Sequence, residues 1–121
     1  MKKTTKELRD RWQAIKDGTT SGEIDNATAV MLSHGISGIS WISYMVVASS
    51  MRAQGLDGIP YLDCKTFKGW KDNGFIVRKG EHSTISGITW VSTAKDESDT
   101  SGFLFPKEYH LFHRSQVEPI I

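Results

Sequence analysis

Lys65, Lys68 and Lys71 recur every three residues around Phe67 and Trp70, and Arg78-Lys79-Gly80 follows after Gly74 and a short apolar run. An unpaired polynucleotide asks for this interleaving of cations and rings. Ammonium and guanidinium groups track the phosphates, while exposed rings stack on bases at about 1–3 kcal/mol per base. The same spacing also suits an amphipathic helix that turns Phe67 and Trp70 into a core and its lysines into water. Trp70 therefore either anchors that helix or offers an edge for stacking. Arg78 and Lys79 stand where a strand turns at Gly80, so that backbone amides and two cations can face one phosphate. His82 adds a donor of the residue type that gains a proton below about pH 6.5, which would raise affinity modestly there; otherwise it belongs to a solvated turn. Arg52, the only base between residues 17 and 64, could reach the same surface.

Catalytic patterns are missing by comparison. The chain contains no His-Glu-x-x-His, no Cys-x-x-Cys, no Gly-x-Ser-x-Gly and no phosphate-cradling glycine motif with its lysine. His110 and His113 form the one candidate metal pair, but residues three apart on a strand point to opposite faces, so the two imidazoles should diverge. Cys64 beside Asp63 is either a reactive thiol or, more commonly for a lone cysteine, an inert one. The expectation is a protein that is not an enzyme and holds neither metal nor cofactor.

Several elements must position these residues. Thr4 and Glu7 have capping-box spacing, Leu8, Trp12 and Ile15 share a face, and Gly18 offers a stop, which predicts a first helix with a basic outer face. That face carries Lys2, Lys3, Lys6, Arg9 and Arg11, either a second phosphate-tracking surface or a solvated exterior. A polar turn over residues 19–22 is expected to precede a second helix capped by Asp25 and running through Ala27, Val30, Met31 and Leu32 to Gly35. A third, from about Ser40 to Gln54, is apolar nearly all round and reads as the central helix of a small core. Asp57-Gly58 and Pro60 mark a loop. Thr66 then caps a short helix over residues 67–73, with Gly74 as its exit. Residues 75–78, 85–93 and 103–114 are rich in β-branched and aromatic side chains and predict a small antiparallel sheet of about three strands, with residues 95–102 as a flexible loop between the last two. Helices first and strands last make the class α+β, with N-terminal helices packed on a small C-terminal sheet.

The length of 121 residues, with 38% apolar and 24% charged, predicts one soluble domain over residues 1–121. A single cysteine and a polar first twenty residues point to a reducing, cytoplasmic setting. The most apolar stretch, residues 36–51, is interrupted by five serines and a glycine and is too short to span a bilayer, so no membrane partner is expected. A net charge of +1 conceals segregation. Residues 1–16 hold six basic and two acidic groups and residues 65–93 five and two, whereas residues 17–64 hold one and five and residues 94–121 three and five.

The run Thr66-Phe67-Lys68-Gly69-Trp70-Lys71, then Gly74, then Val77-Arg78-Lys79-Gly80-Glu81-His82, and finally residues 109–118 from Tyr109 to Glu118, resembles the N-terminal single-stranded-DNA-binding domain of ArdC-type antirestriction proteins. The likeness extends from about Ser40 to Glu118. It implies a DNA-binding module of a phage, a plasmid or a related mobile element, with Lys68, Trp70, Lys71, Arg78, Lys79, His82 and Arg52 as its contact residues. Family members usually continue into a metallopeptidase-like domain. This chain ends at Ile121 without a zinc motif, so the resemblance implies a stand-alone module and no protease activity.

Two functional readings follow. The first is a non-enzymatic domain that binds single-stranded DNA without strong sequence specificity. The second is a small protein-binding counter-defence inhibitor of a host nuclease or effector, in which the acidic segments 17–64 and 94–121 mimic a polyanion and the partner is a host defence protein.

Overall fold

A computed structural model describes residues 3–121. Helix α1 (Thr5–Gly18) is capped by Thr4, whose hydroxyl accepts from Glu7 N–H. Helix α2 (Ser21–Ser33) begins four residues before the expected Asp25 cap, because Thr20 and Glu23 form a full capping box. The expected polar turn is thus mostly cap and first helical turn. Helix α3 (Trp41–Ala53) begins within a residue of the expected Ser40, which is its cap.

After a loop come β1 (Cys64–Lys65), α4 (Phe67–Asp72), β2 (Phe75–Val77), β3 (Ile85–Ser92) and β4 (Leu104–His113). A 3-10 turn (Arg114–Gln116) leads into β5 (Val117–Pro119). Helices gather in the N-terminal part and antiparallel strands in the C-terminal part, so the chain is α+β.

The strands form two sheets where one was expected. The three-stranded sheet has the order β1-β4-β3, with Cys64 opposite His113, and Ile85 opposite Leu111. Strand β2 lies outside it and pairs only with β5, Val77 facing Val117. Two- and three-residue strands such as β1 and β5 exist only through partners far along the chain, so no local pattern announces them.

Helix α3 lies on β3 and supplies the core from two sides. Val47 and Met51 pack with Cys64, Ile85 and Leu111, and Val46 packs with Leu8 and Ile88. Loop residues 57–63 are clamped to the end of β4. His113 Nδ1 accepts from Ser115 N–H at 3.2 Å, which leaves its Nε2 proton for the Asp57 carbonyl at 2.7 Å. Arg114 bridges Asp57 at 3.1 Å and Asp63 at 3.0 Å. Among the described residues no helix is long and apolar enough to cross a membrane.

Helix α4 is fixed by one residue. Trp70 is 5% exposed, its indole N–H donates to the Phe112 carbonyl at 2.8 Å, and its ring meets Phe75 edge-on at 5.5 Å. Trp70→Phe keeps a ring but leaves that carbonyl without its donor. It is expected to lower the unfolding free energy in a urea titration by about 1–3 kcal/mol. Phe67→Ala should cost less, since Phe67 is half-exposed, and equal losses would contradict the anchoring role of Trp70.

Candidate nucleic-acid interface

Successive residues of a helix are rotated by about 100°, which places Lys71 and Lys68 about 40° and 100° round α4 from Phe67 in one direction and Trp70 about 60° from it in the other. The structure follows this arithmetic. Phe67 is 51% exposed and only touches the Phe112 ring edge-on at 6.4 Å, while Trp70 is buried. The expectation that both rings point inward therefore fails for Phe67, and stacking by Trp70 is excluded by its burial. A six-residue helix lying on a sheet has room beneath it for one large ring. The ring available to a ligand is Phe67, which the i, i+3 spacing with Trp70 concealed.

The cations differ in how they are engaged. Lys68 pairs with Asp72 at 2.7 Å on the open surface, a contact that solvent screens and that a phosphate can replace. Its hydrogen bond to that carboxylate holds the ammonium above its ordinary pKa. Among the described residues Lys71 and Lys79 make no ion pair, and both are exposed. Lys65 donates to the Tyr61 carbonyl at 2.9 Å and lies 5.4 Å from the centre of the Trp70 ring, a cation-π contact.

Arg78 departs from expectation. The turn it opens is closed by Glu81 N–H to Arg78 O at 3.1 Å, with Gly80 at φ +89°. Its guanidinium, however, donates to the Ser115 and Val117 carbonyls and sits 3.6 Å from Glu81. Arg78 is thus a strap between β2 and the closing segment, and Lys79 is the cation that the turn presents. His82 is exposed, and its carbonyl accepts from the Gln116 amide at 2.8 Å, which fixes the backbone after the turn.

Arg52 does not join this group. It lines a cleft of about 610 Å³ between α2 and α3 with Thr20 and Glu23, and no residue of α4 or of the turn lines that cleft. Nor does α1 offer a uniform basic face. Lys6 pairs with Asp10 at 2.8 Å, and Arg11 turns inward to Ser86 Oγ at 2.9 Å and the Val46 carbonyl at 3.2 Å. Burial pulls the Arg11 pKa below its ordinary value. Lys3 and Arg9 remain exposed, and Lys2 lies outside the described residues.

The other chemistry-bearing residues are used structurally. His110 is exposed whereas His113 is buried, so the pair diverges. Among the described residues no cluster of three or more His, Cys, Asp or Glu could hold a metal ion. Cys64 is fully buried beside Met51, and burial pushes its thiol up to about 11. At pH 8 only about one thiol in a thousand would be ionised. Iodoacetamide should therefore label the native chain at least about 100-fold more slowly than the urea-unfolded chain, as read by mass spectrometry; similar rates would restore Cys64 as a reactive group.

Comparison of the chain with protein-family models, with curated proteins and with solved structures finds no match in any of the three.

Proposed function

We propose that this chain is a non-enzymatic domain that binds single-stranded DNA without strong sequence specificity, serving a phage or plasmid in an antirestriction-like role. The contact surface is the outer arc of α4 together with the turn Arg78–Glu81. One observation carries this reading: Phe67 is half-exposed on the same arc as Lys68 and Lys71, held at its edge by Phe112, while Trp70 beneath anchors the helix. A ring set among cations supplies stacking and phosphate neutralisation from adjacent positions. The packing of α4 on β2, through Trp70 and Phe75, leads the chain directly from that arc into the turn that presents Lys79.

The protein-binding alternative draws on the loop between β3 and β4. Hydrogen bonds from Ser98 and Ser101 hold the Asp96 and Asp99 carboxylates below their ordinary pKa, so the loop stays anionic. A basic cleft on a host nuclease or effector is the partner that fits it.

Fluorescence anisotropy with a labelled oligothymidine tests the proposal. If three or four phosphates are neutralised, log K against log salt should slope at about −2 to −3. The double variant Lys71→Glu, Lys79→Glu should remove about 1.4 from that slope without altering the circular dichroism spectrum. Arg78 is a poor choice for reversal because its loss would also release the closing segment. Phe67→Ala should weaken binding about fivefold or more at unchanged slope. A flat titration at low salt would dismiss the proposal and leave the acidic loop as the surface to pursue.

A further inference from the structure

A groove of about 740 Å³ opens between the start of α3 and the β3–β4 surface. Its volume falls within the range of small-molecule sites, about 300–1,000 Å³. Four aromatic side chains line it: Trp12, Trp90, Tyr61 and Tyr109. Lys65, just before α4, and Ser40, the cap of α3, stand among its polar lining. Thr66 and Gly69 of the α4 region also line it, so the groove reaches the N-terminal end of α4.

Three features hold its rings in place. The Tyr61 and Tyr109 hydroxyls are hydrogen-bonded to each other, and Tyr61 OH also donates to the Ser43 carbonyl at 3.3 Å. Tyr61 is held at φ +67°, a conformation that costs a non-glycine residue energy and persists only where its surroundings enforce it. Gly87 lies opposite Tyr109 in the β3–β4 ladder, and a Cβ there would sit 2.3 Å from the Tyr109 ring, so that ring lies flat against the strand. Trp12 and Trp90 complete the wall edge-to-face, 5.8 Å apart and at 80°.

We propose that this groove receives an unpaired nucleobase of the strand whose phosphates follow α4. The inference rests on the single-stranded-DNA reading above and adds to it a site for the bases. Fixed aromatic faces suit a planar heterocycle, hydroxyls at the edges suit its polar rim, and Lys65 adds a positive charge to the groove lining for the phosphate that flanks the nucleotide. Burial holds the Tyr61 and Tyr109 phenols above their ordinary pKa, so both stay neutral, and with the Tyr61 proton on the Ser43 carbonyl and the Tyr109 proton on Tyr61 they offer a base acceptor lone pairs.

The test compares an oligothymidine with an abasic deoxyribose-phosphate strand of equal length. The Phe67→Ala protein, which keeps the groove rings, should prefer the thymidine strand about tenfold or more, and adding Trp90→Leu should reduce that preference to within about threefold at unchanged salt slope. In parallel, a bromodeoxyuridine-substituted strand is photocrosslinked to the wild-type protein, which requires no variant to fold. Crosslinks in peptides containing Trp12, Trp90, Tyr61 or Tyr109 are expected. Equal affinity for the two strands, or crosslinks confined to the Phe67 peptide, would overturn the groove assignment while leaving strand binding intact. Failure of both strands to bind would remove the nucleic-acid reading and the groove assignment together. A dimer that dissociates in Trp90→Leu, with no crosslinks in the groove, would assign the groove to a second copy of the chain and overturn the proposal.

Discussion

The hydrogen bond from the Trp70 indole to the Phe112 carbonyl determines where the cation-bearing surface can be. Helix α4 has six residues, far fewer than the dozen or so at which an isolated helix becomes even marginally stable, so it exists because it is held. Thr66 caps its start and Gly74 turns the chain away at φ +86°, but neither attaches it to anything. Phe112 does. It belongs to β4, the middle strand of the three-stranded sheet, and pairs with Lys65 on β1. The Phe112 carbonyl receives Trp70 while its ring touches Phe67. One residue of the central strand thus fixes the buried ring and orients the exposed one. An oriented ring loses less rotamer freedom on meeting a ligand than a free one would.

The turn after β2 depends on a different part of the chain. A two-stranded ribbon is marginal alone, and β2–β5 is short even by that standard. It is secured by Trp70 against Phe75, by the Arg78 guanidinium on the Ser115 and Val117 carbonyls, and by Ile120 N–H to the Gly74 carbonyl at 2.9 Å. Residues 115–120 thereby set the position of Lys79, some forty residues earlier in sequence. At this turn Arg78 is structural, while its neighbour Lys79 is exposed and makes no ion pair among the described residues.

Helix caps were the most legible part of the sequence because their chemistry is local. Thr4 and Thr66 cap as their spacing predicts. The Thr20–Glu23 capping box was equally present in the sequence, but Ser21-Gly22 between them reads as a turn and drew the start of α2 toward Asp25. Lys68 could have been matched with Asp72 from the i, i+4 spacing alone. The separation of β2 from the main sheet could not, since nothing in residues 75–77 specifies Val117 rather than β3 as the partner. The acceptors of Arg78 and the neighbours of Arg52 are likewise set by distant segments. Phe67 is the instructive intermediate case: helical rotation separates it from Trp70 by about 60°, enough on so short a helix for one ring to be buried and the other exposed.

Segregated charge and local neutralisation together shape what this surface can do. The basic groups outnumber the acidic ones in residues 65–93, yet Lys68 has Asp72, Arg78 has carbonyl partners and Glu81, and Lys65 lies on the Trp70 ring. Lys71 and Lys79 are left as exposed cations without an acid partner among the described residues. Two such charges release few counterions from a single strand, about 0.7 each, so electrostatics alone would give weak attachment. On the proposed reading, rings must therefore contribute a comparable share, and the arrangement of Phe67 outside and the four-ring groove alongside gives them the means. On the same reading, the acidic groups of residues 17–64 and 94–121 oppose adhesion to polyanions in general, and a ligand with exposed base faces offsets that repulsion through the stacking that the charges do not supply.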